Sequence, residues 1–198
     1  MKKTICVTIP VLFLFSLFFA ANIYAAESKT KVFINPGHGL EDPGAVGNRL
    51  KESDIAEKIA KRLDEKLQQY CTTRVCIGGS KLSQICKEAN SFGADYFISI
   101  HVNSSRIQSA NGIETYYLRG GSGKAFAKDC QSALVKKLGR FDRGVKVGRF
   151  AVLRKTYAPA VLVEIGFISN PTESVLMVSE KWQEDAAEAL AAAIMSQK

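Results

Sequence analysis

The sequence predicts one α/β domain built on a mostly parallel, twisted sheet with helices on both faces. Three observations predict it. Short apolar runs occur at Lys31 to Asn35, Tyr96 to Ile100 and Pro159 to Ile165, and such runs read as buried strands. Between them lie segments with helical spacing, such as Ile55, Ile59, Leu63 and Leu67. Alternating strands and helices bury both faces of a sheet under helices. No internal repeat, low-complexity stretch or second domain interrupts the pattern.

The first 26 residues stand apart. Lys2 and Lys3 precede an apolar run from Ile9 to Ala21, and Ile23-Tyr24-Ala25-Ala26 offers small residues for cleavage. This is the pattern of a secretory signal peptide over residues 1–26. The apolar run is short for a membrane span, so no stable membrane anchor is expected after cleavage. Residues 27–198 then form the domain, and about 170 residues suffice for one core. The chain is expected to be exported, to the periplasm or to the extracellular space and cell wall.

Lys31 to Asn35 is the first strand. Pro36 to Gly47 follows as a loop with four glycines and two prolines, long enough to carry function. Lys51-Glu52-Ser53-Asp54 opens a helix to about Tyr70. Glu52 in its first turn is favoured by the helix dipole even without a function. Thr73 to Ile77 is a second strand, and Gly78-Gly79-Ser80 turns the chain. Leu82 to Phe92 is a helix ended by Gly93. Ala94-Asp95 leads into the strand that ends at His101. Ile113 to Leu118 is a further strand. A helix spans Lys124 to Leu138, with Phe126, Leu134 and Leu138 inward. Val145 to Leu153 reads as a hairpin or an edge strand. In Pro159 to Ile165, Glu164 interrupts the apolar run near the strand's C-terminal end. Asn170 before Pro171, with Glu173 three residues on, has the form of a helix start. Helices over Glu173 to Val178 and Lys181 to Gln197 close the chain, with Ser179 as a cap for the second.

Charge narrows the partners. The formal net charge is +8; removing Lys2 and Lys3 from the 27 Lys and Arg leaves 25 against 19 Asp and Glu, or +6. An exported basic protein is drawn to anionic surfaces, including wall polymers. No finger, RNA-binding aromatic motif or basic run points to nucleic acid. The sequence does not give the oligomeric state, and a monomer is the working expectation. Export permits disulfides among Cys71, Cys76, Cys86 and Cys130. Four cysteines allow three pairings, and spacing does not choose among them.

The chemistry-bearing residues sit at strand ends. His38 and His101 are the only histidines. Both follow apolar strands and open into Gly- or Asn-rich loops. In a parallel sheet they converge on the edge that holds Glu164, where open α/β sheets bind ligands. A buried carboxylate is costly unless paired or facing a metal. A catalytic zinc site needs three protein ligands and an open position. Two imidazoles are present, and the third ligand must be a carboxylate: Glu41, Asp42, Glu52 or Glu164.

These residues carry a resemblance. Val32-Phe33-Ile34-Asn35-Pro36-Gly37-His38-Gly39, Asp42-Pro43-Gly44-Ala45-Val46-Gly47 and Glu52 come first. Ala89-Asn90, Ala94 through Asn103, Gly112-Ile113-Glu114-Thr115-Tyr116-Tyr117, Val152-Leu153-Arg154 and Pro159 through Pro171 follow in order. Together they resemble the catalytic domain of the zinc-dependent N-acetylmuramoyl-L-alanine amidases, the type 3 amidase family. The resemblance implies one Zn2+ bound by His38, Glu52 and His101, with Glu164 as the catalytic carboxylate. It implies hydrolysis of the amide between N-acetylmuramic acid and L-alanine of peptidoglycan. The family usually carries an Arg in the helix before Ala89-Asn90, where this chain has Ile85 or Cys86. Some relatives insert a regulatory helix after the second histidine. Only Asn103 to Asn111 fills that space here, which predicts an open cleft. A zinc peptidase acting on stem peptides and a non-catalytic wall-binding domain are the alternatives. The bond broken separates the first, and the presence of Glu164 argues against the second.

Overall fold

The computed structural model describes residues 29–197, apart from positions 40 and 77. The expected signal peptide lies outside the described residues. The sheet uses β1 (Lys31–Pro36), β4 (Thr72–Val75), β5 (Tyr96–Asn103), β6 (Ile113–Tyr117), β7 (Asp142–Val147) and β8 (Ala160–Phe167), in the order β4-β1-β5-β8-β6-β7. The first four strands run parallel, β6 runs antiparallel to β8, and β7 is parallel to β6. The sequence-derived α/β architecture with a mostly parallel sheet therefore holds. No helix among the described residues is long and apolar enough to cross a membrane.

Strand periodicity divides the core in two. Side chains alternate between faces along a strand. Val32, Ile34, Ile98, Ile100, Val161 and Val163 bury on one face, and Phe33, Phe97 and Leu162 on the other. The first face is covered by α1 (Glu52–Leu67), α3 (Lys124–Leu138) and α6 (Glu180–Met195), which pack on one another. Their buried residues follow helical spacing, as with Ile55, Ile59, Leu63 and Leu67 of α1. The second face has a smaller cover, α2 (Leu82–Phe92) and the one-turn α4 (Ala151–Lys155). Asn35, Ser99, His101 and Glu164 have the parity of this second face. The chemistry-bearing side chains thus project where the helical cover is thinnest.

Caps and turns end the elements as expected. Asn170 Oδ1 accepts from the N–H groups of Thr172 and Glu173 at the start of α5 (Pro171–Met177). Ser179 caps α6 in the same way, and Gly93 ends α2 in the left-handed conformation. The loop after β1 holds a two-strand ribbon, β2 (Val46–Gly47) with β3 (Leu50–Lys51).

Two expectations need correction. The segment expected as a hairpin or edge strand over Val145 to Leu153 is an edge strand only to Val147. The Gly148 N–H makes a last hydrogen bond to the Tyr117 carbonyl, and the chain then turns into α4 within three residues. Val152 and Leu153 then bury from α4. No disulfide forms among the described residues. Cys71 and Cys130 lie in one core layer, and Cys76 and Cys86 in the other, where each fills the volume of a small apolar side chain. Burial pushes the Cys130 thiol well above its usual range.

Candidate active site

Each predicted residue arrives by a different local device. His38 stands two residues beyond β1 with φ 61°, a backbone conformation rare outside glycine and common at functional sites. Its Nδ1 pairs with Asp42 Oδ2 at 2.7 Å, and Asp42 Oδ1 accepts from the Gly44 N–H. The hydrogen bond to His38 leads in holding the Asp42 carboxyl below its ordinary range. Asp42 is therefore the residue that orients the ring, leaving Nε2 to face the cleft. Carboxylate partners of this kind fix the tautomer of ligand histidines.

Glu52 is the first residue of α1 and is 4% exposed. Its Oε2 accepts from the Ala45 N–H and its Oε1 from the Val102 N–H. Its Oε1 lies 2.8 Å from His101 Nδ1, and its Oε2 lies 3.4 Å from His38 Nε2. Burial opposes its charge. The His101 hydrogen bond and the backbone donors outweigh that and hold its pKa below the ordinary value. His101 sits on β5, and its Nε2 lies 3.1 Å from Ser99 Oγ. Ser99 in turn accepts from Asn35 Nδ2 at 2.7 Å. Asn35, Ser99 and His101 share one face, so this chain of supports follows from strand periodicity.

One donor atom from each of His38, Glu52 and His101 lies within 4.8 Å of the others, a spacing that can hold a metal ion. The surroundings fit that use. A Cβ on Gly37 would stand 2.5 Å from the His101 ring, and one on Gly44 would stand 2.5 Å from Glu52 Oε2. Glycine at both positions leaves room for the ligand set. Of the four carboxylates open at the sequence level, Glu52 joins the histidines and Asp42 backs His38. Glu41 is exposed outside the set.

Glu164 pairs in register with His101 across β5 and β8. The register then slips: His101 and Asn103 of β5 face Glu164 and Phe167 of β8. The extra residue makes a bulge around Gly166, whose φ is 151°. Bulges re-aim side chains beside sites. Glu164 Oε2 is buried without a hydrogen-bond partner. Burial, then repulsion from Glu52 and Glu114, pushes its pKa from 4.5 up to about 8. His38, Glu52, His101 and Glu164 all line one cleft of about 540 Å³. Leu82, Ile85, Phe150 and Leu162 contribute apolar surface to its lining. No helix lies between β5 and β6, as expected from the short link.

One feature escaped sequence reasoning. Glu114, directly opposite Glu164 on β6, is 3% exposed and takes four donors. Asn103 Nδ2 and Tyr116 Oη donate to Oε1 at 2.9 and 2.6 Å. Arg143 Nε donates to Oε2 at 2.7 Å, joined there by Lys146 Nζ. Burial opposes its charge, but the Lys146, Tyr116 and Arg143 hydrogen bonds bring its pKa down to about 2. The available signal was parity: Glu114 and Tyr116 alternate with buried Ile113 and Thr115.

A doubly covered sheet gathers two histidines and two carboxylates at one edge, and three of the four are spaced so that they could hold a metal ion. The comparisons then identify the family. The N-acetylmuramoyl-L-alanine amidase family matches residues 32–196, and the chain belongs to it. YqiI of Bacillus subtilis (strain 168) is 40% identical over 171 residues, covering 83% of this chain and 82% of its own. The N-acetylmuramoyl-L-alanine amidase LytC of the same organism is 37% identical over 166 residues, with 80% of this chain but 34% of LytC covered. The chain thus spans about a third of LytC. Among solved structures, the catalytic domain of CwlV, an N-acetylmuramoyl-L-alanine amidase from Bacillus (Paenibacillus) polymyxa var. colistinus, is 35% identical. Its TM-score is 0.80, with 85% of this chain and 97% of CwlV's covered.

Proposed function

We propose that this protein is an exported, zinc-dependent amidase. It hydrolyses the bond between N-acetylmuramic acid and the L-alanine of the peptidoglycan stem. Family membership and the names of its relatives support the reaction. The observation that carries the reading is the unpartnered Glu164 carboxylate, which opens on the same cleft as His38, Glu52 and His101. Two imidazoles and one carboxylate are a donor set suited to catalytic zinc. A zinc ion held there supplies a Lewis acid that polarises the amide carbonyl and acidifies water.

The chain's own residues do the rest. Asp42 and Ser99 hold the two rings in place through their second nitrogens. Glu164, destabilised as an anion, takes the proton from attacking water and delivers it to the departing L-alanine amine. Leu82 and Phe150 add apolar surface to the lining of the cleft. The sequence of residues 1–26 supports delivery to the wall by export.

The test is hydrolysis of purified peptidoglycan, with products identified by mass. Stem peptides with a free L-alanine terminus, lost with chelator and regained with zinc, are the expected result. Cleavage within the stem instead makes the protein a peptidase. No product from protein with bound zinc leaves a wall-binding domain.

A further inference from the structure

We propose that Arg143 and Lys146, seated on the buried Glu114, form a carboxylate-binding subsite. Its ligand is the acidic residue that follows L-alanine in the stem peptide. This rests on the amidase reading above and adds the side of the cleft on which the peptide lies.

Charge is the first argument. Glu114 neutralises one cation, yet two converge on its Oε2. Their side chains keep 31% and 38% of their exposure, against 4% for Glu114. One positive charge is therefore left over and reaches solvent. Donors are also left over. Arg143 uses Nε on Glu114 and one terminal N–H on the Asn111 carbonyl. Lys146 uses one of three N–H bonds on Glu114. A guanidinium has five donors and an ammonium three, so a carboxylate can bridge the two side chains without displacing Glu114.

Position is the second argument. Arg143, Lys146 and Glu114 line a surface cavity next to the catalytic cleft, and Asn103 and Ser104 line both. Glu114 and Glu164 are register partners on adjacent strands, about 5 Å apart between Cβ atoms. A peptide leaving the reacting amide on this side meets the cations within a residue or two.

Preorganisation is the third argument. The Arg143 guanidinium lies 4.8 Å from the centre of the Phe167 ring. Glu114 fixes both cations from below. The subsite is thus built before a ligand arrives, which spares ordering entropy on binding.

The test compares two substrates that differ by one group. In one, L-alanine of an N-acetylmuramoyl peptide is followed by D-glutamate with a free α-carboxylate; in the other, by D-isoglutamine. The purified, zinc-loaded protein should favour the acid in kcat/KM by roughly tenfold, the size expected for a charge-assisted hydrogen bond. Arg143→Gln and Lys146→Gln should bring that ratio towards one through KM. Lys58→Gln, an exposed cation on α1, should keep the ratio and so controls for net charge. A wild-type ratio of one overturns the subsite, as does an equal loss on both substrates in the two variants. Calorimetric titration of wild type with the two released peptides reads the subsite without turnover and without a variant. Equal affinity for acid and amide overturns it there too. Failure to cut either substrate or peptidoglycan overturns the amidase reading instead, and the titration still decides the subsite.

Discussion

Glu164 and Glu114 are the same kind of side chain, facing each other across β8 and β6, yet their surroundings are opposite. Glu164 is buried with one oxygen unpartnered and is pushed up to about 8. Glu114 is buried under four donors and is brought down to about 2. One carboxyl is poised to exchange a proton near neutral pH, and the other is locked as an anion. Titratable groups whose environments push them apart mark acid–base roles. The pair also shows that burial alone predicts neither behaviour. The number of donors brought by the neighbouring strands decides it, and β7 supplies both cations.

The sharpest way to break this contrast is to remove each charge in turn. Glu164→Gln should lower hydrolysis by about 10²–10⁴-fold while the metal content, read by elemental mass spectrometry, stays at one ion. Loss of the metal in this variant would make Glu164 a ligand rather than the proton carrier. Asp42→Asn comes next, since it acts through His38. Metal affinity should fall by about 10–100-fold, measured by competition with a chromophoric chelator.

Glu114→Gln should act on stability. The Arg143 and Lys146 cations lose their counter-charge, at a cost of about 2 kcal/mol in denaturant melts. The two residues should also leave opposite marks on the pH dependence of melting in metal-free protein. The Glu114 pKa is depressed from 4.5 to about 2. Its contribution is present above pH 4.5 and is lost as pH falls through 2. The Glu164 pKa is raised from 4.5 to about 8, so its contribution is present below pH 4.5 and is lost as pH rises through 8. Glu114→Gln should flatten the acid limb and Glu164→Gln the alkaline limb; the reverse assignment would undo the contrast. Tyr116→Phe is the smallest step. It removes one of four donors from Glu114 and should cost about 1 kcal/mol, with the acid limb shifted in the same direction.

The legibility of the two carboxyls in the sequence differs for a physical reason. Glu164 interrupts a run of apolar residues, and the cost of a charge there makes it conspicuous. His38 and His101 stand at the ends of similar runs, so local pattern and parallel order suffice to bring them together. The alternation that buries Phe97 and Leu162 on one face also fixes the side on which His101 and Glu164 emerge. Glu114 lies in Ile113-Glu114-Thr115-Tyr116, an ordinary amphipathic strand. Its two cationic partners come from a strand about 30 residues away, and no spacing rule reports that pairing. Asp42 was visible as a carboxylate near His38, but only the left-handed turn at His38 decides between ligand and support. The helix at Ala151–Lys155 was misread because five residues are too few to show a helical period.

The alternation of side chains across the sheet has a consequence for how this sequence can change. His101 and Glu164 reach the cleft because each is an odd or even step along its strand, so the site depends on a reading frame as well as on residue identity. Substitutions in β5 or β8 alter one contact at a time. Deleting one residue between Tyr96 and Ser99 would turn His101 into the layer packed by α1 and send apolar neighbours towards solvent. Lineages carrying this fold can therefore vary in the loops and in the thin helical cover, while the strands tolerate exchange but not a change of length.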